Sequence, residues 1–122
     1  CDICRWMWYA ESDHYFCVIV PITEDLNKLK IALSNFNSSS FDEKGLKVTN
    51  IGLNATYQTV LVKQFANKKE ANSYMVAYKV NPAMQSFVSN YTYFTITPLN
   101  YSILFKSKAL KNYEEFFNLN YY

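Results

Sequence analysis

Apolar and polar positions follow two different rhythms along this chain, and the clearest change between them falls from Tyr57 to Tyr78. The run Gln58-Thr59-Val60-Leu61-Val62-Lys63-Gln64-Phe65 is mostly β-branched and apolar, the composition of a central strand covered on both faces. Asn67 stands three residues before Glu70, the spacing of a capping box. There the Asn side chain accepts from an N–H of the first helical turn and the Glu reaches back to the cap. Ala71, Tyr74, Met75 and Tyr78 then recur at i, i+3, i+4 and i+7, which predicts one buried helical stripe. Such a helix needs a sheet to lie on, and such a strand needs neighbours on both edges.

The remaining segments supply them. Tyr15 to Val20 predicts a first strand, opened by His14 and stopped by Pro21. Thr23-Glu24-Asp25 reads as a helix start with acids in the first turn, where the helix dipole favours them. Leu26, Leu29, Leu33 and Phe36 mark its buried stripe, and Asn37-Ser38-Ser39-Ser40 its end. A turn at Asp42-Glu43-Lys44-Gly45 leads into a partly exposed strand from Leu46 to Leu53, and Asn54-Ala55-Thr56 closes a hairpin into the central strand. The second helix ends near Asn81-Pro82, because proline pushes the preceding residue out of the helical region. Residues 82–90 read as a connector with one helical turn at 83–85. From Tyr91 to Thr97 the alternation is strict, with Phe94 and Ile96 on one side and Tyr91, Tyr93, Thr95 and Thr97 on the other. Short helices over 99–105 and 109–118 follow, the last burying Leu110, Tyr113, Phe116 and Phe117.

The order β-α-β-β-α-β with a helical tail predicts an α+β, ferredoxin-like sandwich of four antiparallel strands with two helices on one face. The expected organisation is a lead-in over 1–13, the sandwich over 14–97 and a helical extension over 98–122. The second sheet face is left for that extension or for a partner.

Composition narrows the function. At 122 residues, half of them hydrophobic, the chain fits one domain with its own core and is too apolar for disorder. A net charge of +2 is too small to argue for nucleic acid or an anionic membrane as partner, and neither is expected. No apolar run approaches the ~20 residues of a membrane span. Trp6 to Ala10 is too short and too acid-flanked for a signal peptide, so a targeting segment, if any, would lie outside this stretch.

Candidate chemistry is sparse. Cys1, Cys4, His14 and Cys17 can be written as a zinc set, but His14 and Cys17, three apart on a strand, would point to opposite faces. Cys17 reads better as a small buried side chain, and Cys1 and Cys4 as a CxxC without the helix N-terminus that a redox pair wants. Cys1 could also carry a lipid. One histidine, adjacent acids at Asp42-Glu43 and Glu114-Glu115, and short basic clusters at Lys68-Lys69 and Lys106-Ser107-Lys108 offer little for catalysis. The expectation is a non-enzyme without cofactor or metal. Tyr15 and Tyr57 could be cast as base-stacking rings of an RNA-recognition sheet, yet the basic, glycine-containing run of that module is missing. Four Asn-x-Ser/Thr triplets, beginning at Asn37, Asn54, Asn90 and Asn100, match the glycosylation pattern, as chance allows in so polar a composition.

The informative excess is aromatic, at 18% of residues. Tyr15, Tyr57, Tyr91, Tyr93 and Thr95 are the candidate ligand or partner surface, since rings with polar tips suit sugars and proteins. The competing reading has the tail helices covering this face and the rings serving as core.

Val60 to Ala71, followed by Tyr74, resembles the second half of SPOR domains: a strand, a phenylalanine, a short N-K-E-A turn and a helix. That resemblance implies binding of peptidoglycan glycan strands by the sheet face. The first half departs from it, with Pro21-Ile22-Thr23-Glu24 where a glycine-containing turn is expected. A broader resemblance covers about residues 10–122, through His14–Pro21, Leu29–Asn37, Leu46–Ile51, Phe94–Tyr101 and Tyr113–Phe117. These stretches look like the C-terminal domain of Bacteroidetes tetratricopeptide lipoproteins of the SprE/PorW type, from type IX secretion and gliding motility. The resemblance implies a periplasmic, outer-membrane-associated module that docks a protein partner of the secretion machinery. Peptidoglycan glycan is the alternative ligand. Any membrane contact would run through a lipid anchor outside this fold.

Overall fold

Strand β3 (Tyr57–Phe65) lies inside a four-stranded antiparallel sheet of order β2 (Lys47–Gly52), β3, β1 (His14–Pro21), β4 (Thr92–Ile96). The computed structural model describes residues 5–121, the side chain of Glu43 excepted. Thr59, Val60, Leu61 and Val62 are all buried, as a strand with two neighbours and two covered faces requires. The pairs Phe16–Val62, Val18–Val60 and Cys17–Phe94 set the register. With a side-chain period of two, Phe16, Val18, Val20, Val60 and Val62 share one face, and Cys17, Ile19, Thr59, Leu61 and Phe94 share the other.

Helices α1 (Asn27–Ser40) and α2 (Lys68–Val80) cover the first face. The start of α2 follows its sequence. Asn67 Oδ1 accepts from the Glu70 N–H at 2.9 Å, and Glu70 Oε2 accepts from the Ala66 N–H at 3.0 Å, one residue ahead of the cap. Its buried residues are Ala71, Tyr74, Met75 and Tyr78, and the rings of Tyr74 and Tyr78 lie 5.2 and 4.8 Å from that of Phe16.

Helix α1 departs from expectation at its start. The Glu24 N–H closes a turn on the Pro21 carbonyl and Asp25 Oδ1 accepts from the Asn27 N–H. The first helical residue is therefore Asn27, and the acids precede the helix instead of filling its first turn. At the far end Asn37 to Ser40 form the last turn, as the sequence suggests. Asn37 is buried there and accepts from the Tyr74 hydroxyl at 2.5 Å, which gives that polar end a tertiary partner. Gly45 then takes the left-handed conformation (φ 60°) that lets the chain turn into β2.

Residues 82–90 hold more helix than the single expected turn. A 3₁₀ turn over Pro82–Met84 is capped by Asn81, whose Oδ1 accepts from the Ala83 N–H, and α3 (Gln85–Asn90) continues from it. Helices α4 (Pro98–Ser107) and α5 (Leu110–Asn120) lie on the second face of the sheet. Thr97 Oγ1 caps α4 by accepting from the Asn100 N–H, with Pro98 in the first turn. Phe94 meets the ring of Tyr113 at 4.9 Å, Thr59 and Tyr101 join their hydroxyls at 2.8 Å, and the Tyr113 hydroxyl donates to the Thr95 carbonyl. The tail takes the second face, so the sheet is covered on both sides. Among the described residues no helix is long and apolar enough to cross a membrane.

Candidate functional site: a polar cleft at one end of the sheet

The five surface candidates do not come together. Tyr15 is half-buried on the α4/α5 side, its ring 6.3 Å from that of Tyr101 and 5.0 Å from Lys63 Nζ. Tyr57 is half-buried on the same side but pairs with Pro21, at the other end of β1. Six positions at about 3.3 Å each separate the two rings by roughly 20 Å, too far for one stacking platform. Tyr93 lies on the opposite face among the rings of Phe16 and Tyr78, and Thr95 is fully buried there. Tyr91 precedes β4 and stacks on Phe87 of α3.

His14 is fully buried, with Nδ1 2.8 Å from the Ser12 carbonyl and Nε2 2.8 Å from the Tyr121 hydroxyl. The carbonyl can only accept, so Nδ1 carries the proton and Tyr121 donates to Nε2. Both ring nitrogens are thereby engaged, and desolvation holds the imidazole below its ordinary pKa. Cys17 is fully buried, and burial pushes its thiol far up. Cys1 and Cys4 lie outside the described residues. Among the described residues no group of three or more His, Cys, Asp or Glu could hold a metal.

The cavity that involves a candidate residue opens where β1, β3 and β4 meet the α4–α5 junction. Its volume is about 700 Å³, and its lining includes Tyr57, Asn54, Asn90, Thr92, Asn112 and Glu114. Local chemistry positions each wall. Asn54 Oδ1 accepts from the Thr56 and Tyr57 N–H groups, a side-chain turn that sets the Tyr57 ring at the start of β3. Lys108, left-handed at φ 59°, bonds its N–H to the Leu104 carbonyl and swings the chain from α4 into α5. That swing brings Lys111, Asn112 and Glu114 to the rim. Partial burial raises the Glu114 carboxyl above its ordinary pKa, and Lys111 opposes the shift. The lining holds one carboxylate and no histidine, cysteine or serine. A ring edge, three amides and one acid can bind a polar chain. They offer no paired nucleophile and base.

Sequence reasoning passed over Asn100, Asn112 and the lead-in that they hold. Asn100 Oδ1 accepts from the Met7 N–H at 2.8 Å while its Nδ2 donates to the Met7 carbonyl at 2.7 Å. Asn112 Oδ1 accepts from Trp6 Nε1. Two tryptophans in a short polar-flanked segment were the available signal.

No protein-family model, curated protein or solved structure matches this chain.

Proposed function

We propose that the chain is a ferredoxin-like domain whose C-terminal helices close the second sheet face, acting as a non-enzymatic protein-docking module. The strand order β2-β3-β1-β4, antiparallel throughout, supports that arrangement. In this reading it belongs to a periplasmic, outer-membrane-associated lipoprotein of a type IX secretion or gliding apparatus, as the sequence resemblance implies. The observation that carries docking is the covered sheet: Cys17, Leu61 and Phe94 are buried beneath α4 and α5, so a flat ring-lined face for glycan is not on offer. Exposed apolar side chains stand on the helices instead, with Ile31 on α1, Val76 and Val80 on α2 and Leu119 on α5.

The polar cleft supports one second reading, a SPOR-type module that takes a glycan strand at the sheet end against Tyr57 and the amides. Retention of the purified chain on isolated peptidoglycan sacculi, intact or amidase-stripped to bare glycan, separates the two. The docking reading expects no retention on either. It also expects specific envelope-protein adducts from a photo-crosslinker placed at Val76 or Leu119. Amidase-dependent retention that Tyr57→Ala abolishes would replace docking with glycan binding.

A further inference from the structure

Residues 5–9 lie across α4 and α5 like a bound peptide. They are neither helix nor strand, and the fully buried side chain of Asn100 spends both its amide groups on the main chain of Met7. An amide that bonds a backbone N–H and C=O together reads main chain, whatever side chain the segment carries. Sequence preference comes from the rings on either side. Trp6 packs edge-on against Tyr113 at 5.0 Å and Trp8 edge-on against Tyr121 at 5.0 Å, while both reach Phe116. The Trp6 indole N–H is held by Asn112, and Lys68 Nζ sits 4.8 Å over the Trp8 ring.

The segment is nonetheless incompletely committed. Met7, Trp8 and Tyr9 keep 37%, 42% and 48% of their surface in water, whereas Asn100 beneath them has none. A buried amide left without partners keeps its full desolvation cost, so the site demands an occupant with a free main chain. The turn that joins the segment to β1 has its own anchors, separate from the docked rings: the Ser12 N–H and hydroxyl bond to the Tyr9 carbonyl, the Ala10 carbonyl accepts from the first N–H of α2, the Ser12 carbonyl accepts from His14 and Asp13 accepts from Gln64.

We propose that the surface of Asn100, Asn112, Tyr113, Phe116 and Tyr121 is a peptide-docking site, held in cis by residues 5–9 and taken in trans by a partner segment of aromatic-x-aromatic pattern. This deepens the docking reading and rests on it. Because Asn112 also lines the polar cleft, exchange of the segment changes one wall of that cleft.

A fluorescein-labelled peptide of residues 5–10 tests it by anisotropy against the full chain. A short tether gives the cis segment an effective concentration on the order of millimolar. The Trp6→Ala/Trp8→Ala chain is therefore expected to bind the peptide ~10²-fold more tightly than the unchanged chain. Adding Asn100→Ala to that variant should remove the binding. Where the double variant does not melt cooperatively, a protease site inserted between Glu11 and Ser12 of the otherwise unchanged chain decides. Once cut, the chain should exchange its own fragment for the labelled peptide. A folded double variant, or a cut chain, that takes up no peptide overturns the proposal. Envelope-protein adducts from Val76 would in that case still stand for docking elsewhere on the surface.

Discussion

On the α1/α2 side of the sheet Phe16 meets Tyr74 and Tyr78 ring to ring, and the Tyr78 hydroxyl is buried without a hydrogen-bond partner among the described residues. On the α4/α5 side the hydroxyl of each buried tyrosine ends on a named group: Tyr101 on Thr59, Tyr113 on the Thr95 carbonyl, Tyr121 on His14. The first layer is fixed mainly by shape and by the local stripe of α2, with the Tyr74 hydroxyl on Asn37 and the Thr95 hydroxyl on Asn72 as its polar ties. The second is fixed by polar tips that must reach particular atoms of the sheet and of the N-terminal segment. Tyr78 thus serves as filler on the first face, where Tyr74 is pinned to Asn37, while the buried tyrosines of the second face all act as locating pins.

Matched truncations probe the depth of that contrast. Phe16→Ala is expected to cost about 3–5 kcal/mol of folding stability, read from urea midpoints at constant m-value. Phe94→Ala, its counterpart on the other face, should cost as much if the pinned layer cannot relax into the gap. A loss below about half would show α5 settling inward. Removing single hydroxyls sharpens the distinction further. Tyr113→Phe should lose about 1–3 kcal/mol, because it orphans a buried carbonyl, while Tyr78→Phe should be neutral or mildly stabilising. Equal losses at the two positions would erase the difference between the faces. Asn67→Ala, which removes the cap of α2 without touching either layer's rings, should cost about 1 kcal/mol in the same assay.

The smallest effect is pH-dependent. Desolvation holds His14 below its ordinary pKa of 6.5, with the Ser12 hydrogen bond opposing the shift, so the unfolded chain takes up the proton first. The His14 contribution is complete above pH 6.5 and is lost as pH falls from there toward the depressed folded-state value. Denaturation midpoints between pH 7.5 and 5 should fall more steeply for the unchanged chain than for His14→Gln. Parallel profiles would remove His14 from the pinning network.

The α1/α2 side was the legible one, because its signals are local. A capping residue, a stripe of period 3.6 and a run of β-branched residues are complete within a dozen positions, and β3 and α2 stand where those patterns place them. The start of α1 misled because Thr23, Glu24 and Asp25 suit a turn as well as a cap, and Asp25 bonds Asn27 as the turn. Covering of the second face was one of two readings that tyrosine spacing leaves open. Asn100 was out of reach altogether: it lies 93 positions from Met7, and nothing in the flanking residues of either announces the other. The scattering of Tyr15, Tyr57 and Tyr93 has the same origin, since exposure depends on which layer arrives above each ring.

Thr95 belongs to both layers at once. Its hydroxyl donates to Asn72 Oδ1 of α2, while its carbonyl accepts from Tyr113 of α5. A displacement on one side of the sheet is therefore felt on the other through a single peptide unit. A replacement at Asn72 that shifts the Thr95 peptide would move the acceptor of the Tyr113 hydroxyl, although residues 72 and 113 lie on opposite faces of the sheet. Thr95 is the hinge pin between the two layers.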